Sequence, residues 1–194
     1  MDTFRYVVGL LLVVGLPPGL AWWFLVHPFV GFWRGFGARV TMAVMILFYA
    51  ASLTGLFLLR QSLLGPDLGL SWPIFALGVV LCVIAGWMGW KRKKYLSMRI
   101  LAGVPEVEAD PEKRGQLLRE GPYAVIRHPR YAEIVFATFG YAALANYLGC
   151  WILAVLTLPV LHLVVLMEER ELRDRFGEAY REYAARVPRY LPRR

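Results

Sequence analysis

Residues 131–167 read YAEIVFATFGYAALANYLGCWILAVLTLPVLHLVVLM, thirty-seven positions that are predominantly apolar. The hydrocarbon core of a bilayer is about 30 Å thick and takes roughly 20 apolar residues per helix, because no water is present to satisfy an open backbone. The run is too long for one crossing. Asn146-Tyr147-Leu148-Gly149 supplies a turn near its middle. The stretch therefore predicts a tight helical hairpin, with spans at about 131–147 and 149–167.

Upstream, the same criterion marks spans at about 4–26, 38–59 and 70–90. Pro17-Pro18 interrupts the first and predicts a kink. That first run is longer than a signal-peptide core, and no small-residue cleavage pattern follows it, so it reads as a retained span. Leu64-Gly65-Pro66-Asp67 marks the turn after the second span, and Lys91-Arg92-Lys93-Lys94 stops the third. Residues 91–130 are mixed, with an acidic stretch at 105–112 that reads as a flexible loop. A charged helix is expected from 168 to the vicinity of Val187-Pro188. The chain is thus predicted to be all-α: a single domain over 1–194, polytopic, with about five membrane helices and a C-terminal cytoplasmic helix.

Composition agrees. Of 194 residues 58% are hydrophobic and 19% charged, and the mean hydropathy is +0.50. Such a chain is neither disordered, nor a basic nucleic-acid-binding domain, nor an ordinary soluble enzyme. The net charge of +8 is unevenly placed, with six charged residues in 1–90 and thirty in 91–194. Assigning the 27–39 loop, the 91–130 segment and the tail to one side gives that side 20 Lys and Arg, against 2 on the other. Basic residues favour the cytoplasmic side. The N-terminus is therefore expected outside and the large charged segments inside. Cys82 and Cys150 sit within apolar runs and read as small hydrophobes.

Two groups carry candidate chemistry. In Gly121-Pro122-Tyr123-Ala124-Val125-Ile126-Arg127-His128-Pro129-Arg130-Tyr131, Pro129 suits the first position of the fourth span. Arg127 and His128 then stand ahead of a helix N-terminus, where free N–H groups favour anions. Interfacial anchoring explains the same residues. The second group is Glu168-Glu169 with Glu171, directly after the apolar run. Glu169 and Glu171 have Arg173 and Arg175 at i,i+4, whereas Glu168 has Leu172 there and lacks a local partner. A solvated helix face is the plainer account of this group. His27 precedes Pro28 at a span end, and His162 lies within the fifth span. Three scattered His without ligand spacing predict no metal site.

The order Gly-Pro-Tyr–x3–Arg-His-Pro–x–Tyr at 121–131, apolar hairpin, Glu-Glu at 168–169, Phe-Gly-x-x-Tyr–x2–Tyr at 176–183 and Val-Pro-Arg at 187–189 resembles a known family. It is that of the integral-membrane methyltransferases typified by isoprenylcysteine carboxyl methyltransferase, with phosphatidylethanolamine N-methyltransferase as a relative. The resemblance covers about 115–189. It implies S-adenosyl-L-methionine as cofactor, bound on the cytoplasmic side, and a lipid or prenylated acceptor. On the matching positions, Gln116, Leu117 and Leu118 would follow the adenosine, with Tyr123 packed near it. His128, Arg130 and Tyr131 would line the cleft with backbone help from Pro129. Glu168 would take the donor's amino group or ribose. Arg127 would pair with the donor carboxylate or Glu168, and Glu169 or His128 would assist an amine acceptor. Arg127, His128, Glu168 and Glu169 are the catalytic candidates.

One position departs from the pattern. The prenylcysteine enzymes carry a substrate-binding Arg one helical turn before the acidic residue, and Val164 stands there instead. A phospholipid amine or another small lipophile thus stands beside a prenylcysteine carboxylate as acceptor. Two rival functions are an NADPH-dependent membrane reductase of sterol-reductase type and a non-catalytic membrane scaffold.

Overall fold

Apolar runs of this length leave helix as the only element able to satisfy its own backbone in lipid, and helices are what form. The computed structural model describes residues 1–96, 104–107 and 116–192. Helix α1 (Asp2–Val26) is followed by a 3₁₀ turn (His27–Phe29), α2 (Val30–Leu58), the short α3 (Arg60–Leu64) and α4 (Trp72–Arg92). Then come the short α5 (Val104–Val107) and α6 (Pro122–Val125), α7 (Pro129–Ala145), α8 (Leu148–Phe176) and α9 (Glu178–Arg186). Among the described residues α1, α2, α4 and α8 are long and apolar enough to cross a membrane.

The fourth expected span is the 17-residue α7. At 1.5 Å per residue it is about 26 Å long, the short end of the spanning range. It lies inside the bundle, packed on α4, α1 and α8. Its partner face on α4 is built for close approach. A methyl group added at Gly140 would stand 2.7 Å from Cys82 Sγ and 3.2 Å from the Gly78 carbonyl oxygen. Small residues at such a crossing let two helices approach through van der Waals contact where lipid offers no hydrophobic drive.

Two boundaries differ from expectation. The 27–39 segment is not a loop: it is the 3₁₀ turn plus the first turns of α2, and the helix bends at Gly37, whose φ of 74° suits a residue without a side chain. The fifth span does not stop at the membrane boundary but runs on unbroken to Phe176, the break falling at Gly177. The first helix continues through both Pro17 and Pro18. Within the acidic stretch read as a loop, residues 108–112 lie outside the described residues, as does position 115.

Of the three apolar clusters among the described residues, two run along α1 through the bundle and the third joins Val26, Val30, Met45 and Val107. Near one end Leu12, Val13 and Val14 of α1 meet Leu64, Ala142, Ala145, Cys150 and Ala154. Near the other, Leu20 and Trp23 meet Tyr131, Leu161, Val164 and Val165. The first end is closed by Arg5, which is 2% exposed and donates from Nε to the Ala145 carbonyl at 3.1 Å. Its guanidinium also pairs with Asp67 and, at 3.6 Å, with Asp2. The turn it holds carries Asn146 in the left-handed region at φ 53°, between α7 and α8. The opposite end holds the charged segments.

Candidate functional site

At that charged end, Gly121 turns the chain into α6, and Ile126 returns it to an extended conformation before Pro129 opens α7. A helix start leaves backbone N–H groups without partners. The N-cap N–H and the one before it are satisfied from the C-terminal segment: His128 N–H donates to the Arg189 carbonyl at 3.3 Å and Arg127 N–H to the Pro188 carbonyl at 2.9 Å. The Val-Pro-Arg motif is thereby laid against the Arg-His-Pro motif.

Glu169 fixes the same junction through side chains. It is fully buried. Arg189 donates to it from two nitrogens, Nε to Oε1 at 2.9 Å and Nη2 to Oε2 at 2.7 Å. Arg127 Nη2 lies 3.2 Å from Oε1, and Arg173 Nη1 is 3.7 Å from Oε2. His128 Nε2 is 3.1 Å from Oε1. A carboxylate ringed by arginines only accepts, so Nε2 carries the proton there. The hydrogen bond to Glu169 raises the Arg189 guanidinium above its ordinary value, keeping it cationic.

Glu168 is turned elsewhere. Successive helical positions lie about 100° apart, so Glu168 does not share its neighbour's surroundings. It is 26% exposed, and its buried Oε2 makes no hydrogen bond among the described residues. His128 Nδ1 lies 3.7 Å from that oxygen. Both residues border a cleft enclosing about 860 Å³ of atom-free space, part of it open to solvent.

Gln116, Leu117, Leu118, Tyr123, Arg127, His128, Arg130, Tyr131 and Glu168 all border this one cleft. Pro129 is buried at the start of α7 and Glu169 stands behind the wall; neither borders the cleft. Arg127 lies against Glu169 through Nη2, while its Nε makes no hydrogen bond among the described residues. Val164 is fully buried in the core cluster with Leu20 and Tyr131, on the protein side of α8. His162 Nδ1 meets the Tyr190 hydroxyl at 2.8 Å and lies apart from the cleft lining.

Several wall residues escaped the sequence reading. Trp23 comes from the first span, where hydropathy gave it no distinction, and Arg130 stacks over its ring with Cζ 4.8 Å from the centroid. Tyr180 and Tyr183 are buried wall residues of α9. Burial pushes the Tyr183 phenol up to about 12, beyond the opposing pull of Arg127, so it remains a donor. It donates to the Tyr123 carbonyl at 2.7 Å. The Phe-Gly-x-x-Tyr–x2–Tyr spacing was the available signal for these two. Nothing local announced Arg189 as the main partner of Glu169.

Among the described residues no cluster of three His, Cys, Asp or Glu side chains is placed to hold a metal ion. A model of the phospholipid methyltransferase family matches residues 73–179. The chain is 32% identical over 82 residues to a cobalt-zinc-cadmium resistance protein, CzcN, of Cupriavidus metallidurans, covering 42% of this chain and 38% of that protein. It is 33% identical over 82 residues to protein-S-isoprenylcysteine O-methyltransferase B of Arabidopsis thaliana, covering 42% of each. The chain therefore matches about two fifths of the length of these curated relatives. No solved structure gives a significant match.

Proposed function

The chain belongs to the phospholipid methyltransferase family, and from that membership we propose that it transfers a methyl group from S-adenosyl-L-methionine to a lipophilic acceptor at the membrane surface. The observation that carries this is the buried Glu168 Oε2 which, among the described residues, makes no hydrogen bond, on the wall of a cleft that also presents the Arg127 Nε and Tyr180 hydroxyl, likewise without partners there. Buried polar atoms are ordinarily paired. A ligand carrying both an amino group and a carboxylate fits these atoms, the first on Glu168 and the second on Arg127. Gln116, Leu117, Leu118 and Tyr123 form the wall along which an adenosine would lie, with His128, Arg130 and Tyr131 closing it.

When bound, the donor supplies a methyl group on a positively charged sulfur. The protein's part is to align and to dry the site. The apolar walls Trp23, Tyr131 and Phe176 would keep water from a bound donor, which favours a reaction in which charge is lost, and would hold the partners in line. A carboxylate acceptor needs no base. For an amine acceptor, His128 takes the proton at Nδ1, because Nε2 is committed to Glu169. Glu169 serves as a positioning residue, both its oxygens being occupied by cations. The acceptor is a prenylcysteine carboxylate or a phospholipid amine, entering from the bilayer. The Lys and Arg asymmetry supports a cytoplasmic cleft and an outside N-terminus, and the whole chain acts as one domain with its donor site in about 115–189.

Equilibrium binding to detergent-purified protein tests this. S-adenosyl-L-methionine should bind, NADPH should not, and Glu168→Gln and His128→Ala should each weaken donor binding by about tenfold or more, roughly one lost charge-assisted hydrogen bond. Binding of NADPH alone, or donor affinity unchanged in both variants, would sink the assignment.

A further inference from the structure

We propose that the inner end of α4 is a binding site for an anionic phospholipid headgroup, separate from the cleft. The helix has two faces. Gly78, Cys82, Ala85 and Gly89 turn toward α7, where Gly89 lies against Glu133. The other face presents Val80, Val83, Trp87 and Trp90 to the surroundings, the two indoles 55% and 60% exposed. Lys91 and Lys94 continue that outer stripe at helical spacing.

The side chains at this end are sorted by charge and partner. Arg92 turns inward and is spoken for by Glu133, through contacts of 2.7 and 3.1 Å. Lys91 and Lys94 stay outside and lie over the two tryptophans, with Nζ 4.1 Å from the Trp87 ring centroid and 5.8 Å from that of Trp90. Both lysines are exposed and form no ion pair among the described residues. A cation over an aromatic face keeps its N–H groups pointing outward. The indole N–H groups of Trp87 and Trp90 likewise make no hydrogen bond among the described residues. The result is a patch of donors with no acceptor among the described residues, at the depth where tryptophan marks the headgroup layer. The bare C-terminal end of a helix repels anions, so the two ammonium groups must supply the attraction. A zwitterionic headgroup brings its own cation into this patch, whereas phosphatidylglycerol brings only a phosphate and hydroxyls.

The test uses the full chain reconstituted in vesicles of brominated phosphatidylglycerol and phosphatidylcholine, reading tryptophan quenching. The native chain should associate with brominated phosphatidylglycerol about threefold more strongly than with brominated phosphatidylcholine. Lys91→Gln with Lys94→Gln should bring the ratio to about one, and Trp87→Phe with Trp90→Phe should remove the selective part of the signal. Equal quenching by both lipids in the native chain, or selectivity that survives the lysine substitutions, would overturn the proposal. Neither result depends on methyl transfer.

Discussion

Glu169→Gln is expected to lower the unfolding stability of the detergent-solubilised protein by about 3 kcal/mol and to abolish measurable donor binding. The carboxylate is fully buried, and three arginines and a histidine converge on it. An amide offers one acceptor oxygen and turns an NH₂ group toward a guanidinium. Breaking a buried ion pair from one side costs about 3–5 kcal/mol because the partner charge is left uncompensated. The lower end applies, since Arg189 and Arg173 are partly exposed and regain water. Function falls with stability because Glu169 also holds the His128 ring through Nε2. Arg189→Lys gives the graded control: one donor replaces a two-pronged contact, so loss should be in the same direction and smaller. A wild-type unfolding midpoint in Glu169→Gln would remove this carboxylate from the centre of the account.

Arg5→Ala should cost a comparable amount, about 3 kcal/mol, while leaving donor affinity of the folded protein within about twofold. Removing the side chain strips a hydrogen bond from the buried Ala145 carbonyl and one at 3.5 Å from that of Asn146. The Asn146 carbonyl keeps the Leu68 N–H at 3.0 Å, but the orphaned Ala145 acceptor costs about 1–3 kcal/mol, and the lost bulk leaves a void. Asp67 contributes less, being 43% exposed and able to take water in place of the guanidinium. The cluster lies at the end of the bundle away from the cleft, so chemical or thermal unfolding detects the change and titration with donor does not. An affinity loss matching that of Glu169→Gln would show that the two ends are not independent.

The contrast between these residues shows what could be read in advance. Bilayer thickness and the length of the apolar runs were enough for the helices, and Asn146 marked the hairpin because a left-handed turn between two runs favours Asn. Glu168 was distinguished by the absence of a local partner, and its Oε2 makes no hydrogen bond among the described residues. The i,i+4 rule paired Glu169 with Arg173, yet that contact is long and half-solvated. Its close partners lie 41 and 20 residues away in sequence, a distance over which no helical periodicity operates. Arg5 illustrates the same limit: counted among the few basic residues of one side, it proves to be a buried clasp for a turn 140 residues away. Trp23 entered the cleft for a tertiary reason as well, because α1 packs against α7 and α8. The bend at Gly37 and the continuity of α8 past Glu168 are boundary effects that hydropathy does not register.

The central claim is methyl transfer from a donor held between the Arg-His-Pro turn and Glu168. Its most direct test is incubation of the purified protein with methyl-labelled S-adenosyl-L-methionine and a total lipid extract, followed by separation of the labelled product. The account predicts label in a lipid-soluble product with the native chain, loss of that label by at least tenfold in Glu168→Gln and His128→Ala, and unchanged labelling in Lys91→Gln with Lys94→Gln when the lipid is presented in detergent. A native protein that binds the donor yet transfers no label to any lipid, or one whose labelling survives both cleft substitutions, would contradict it.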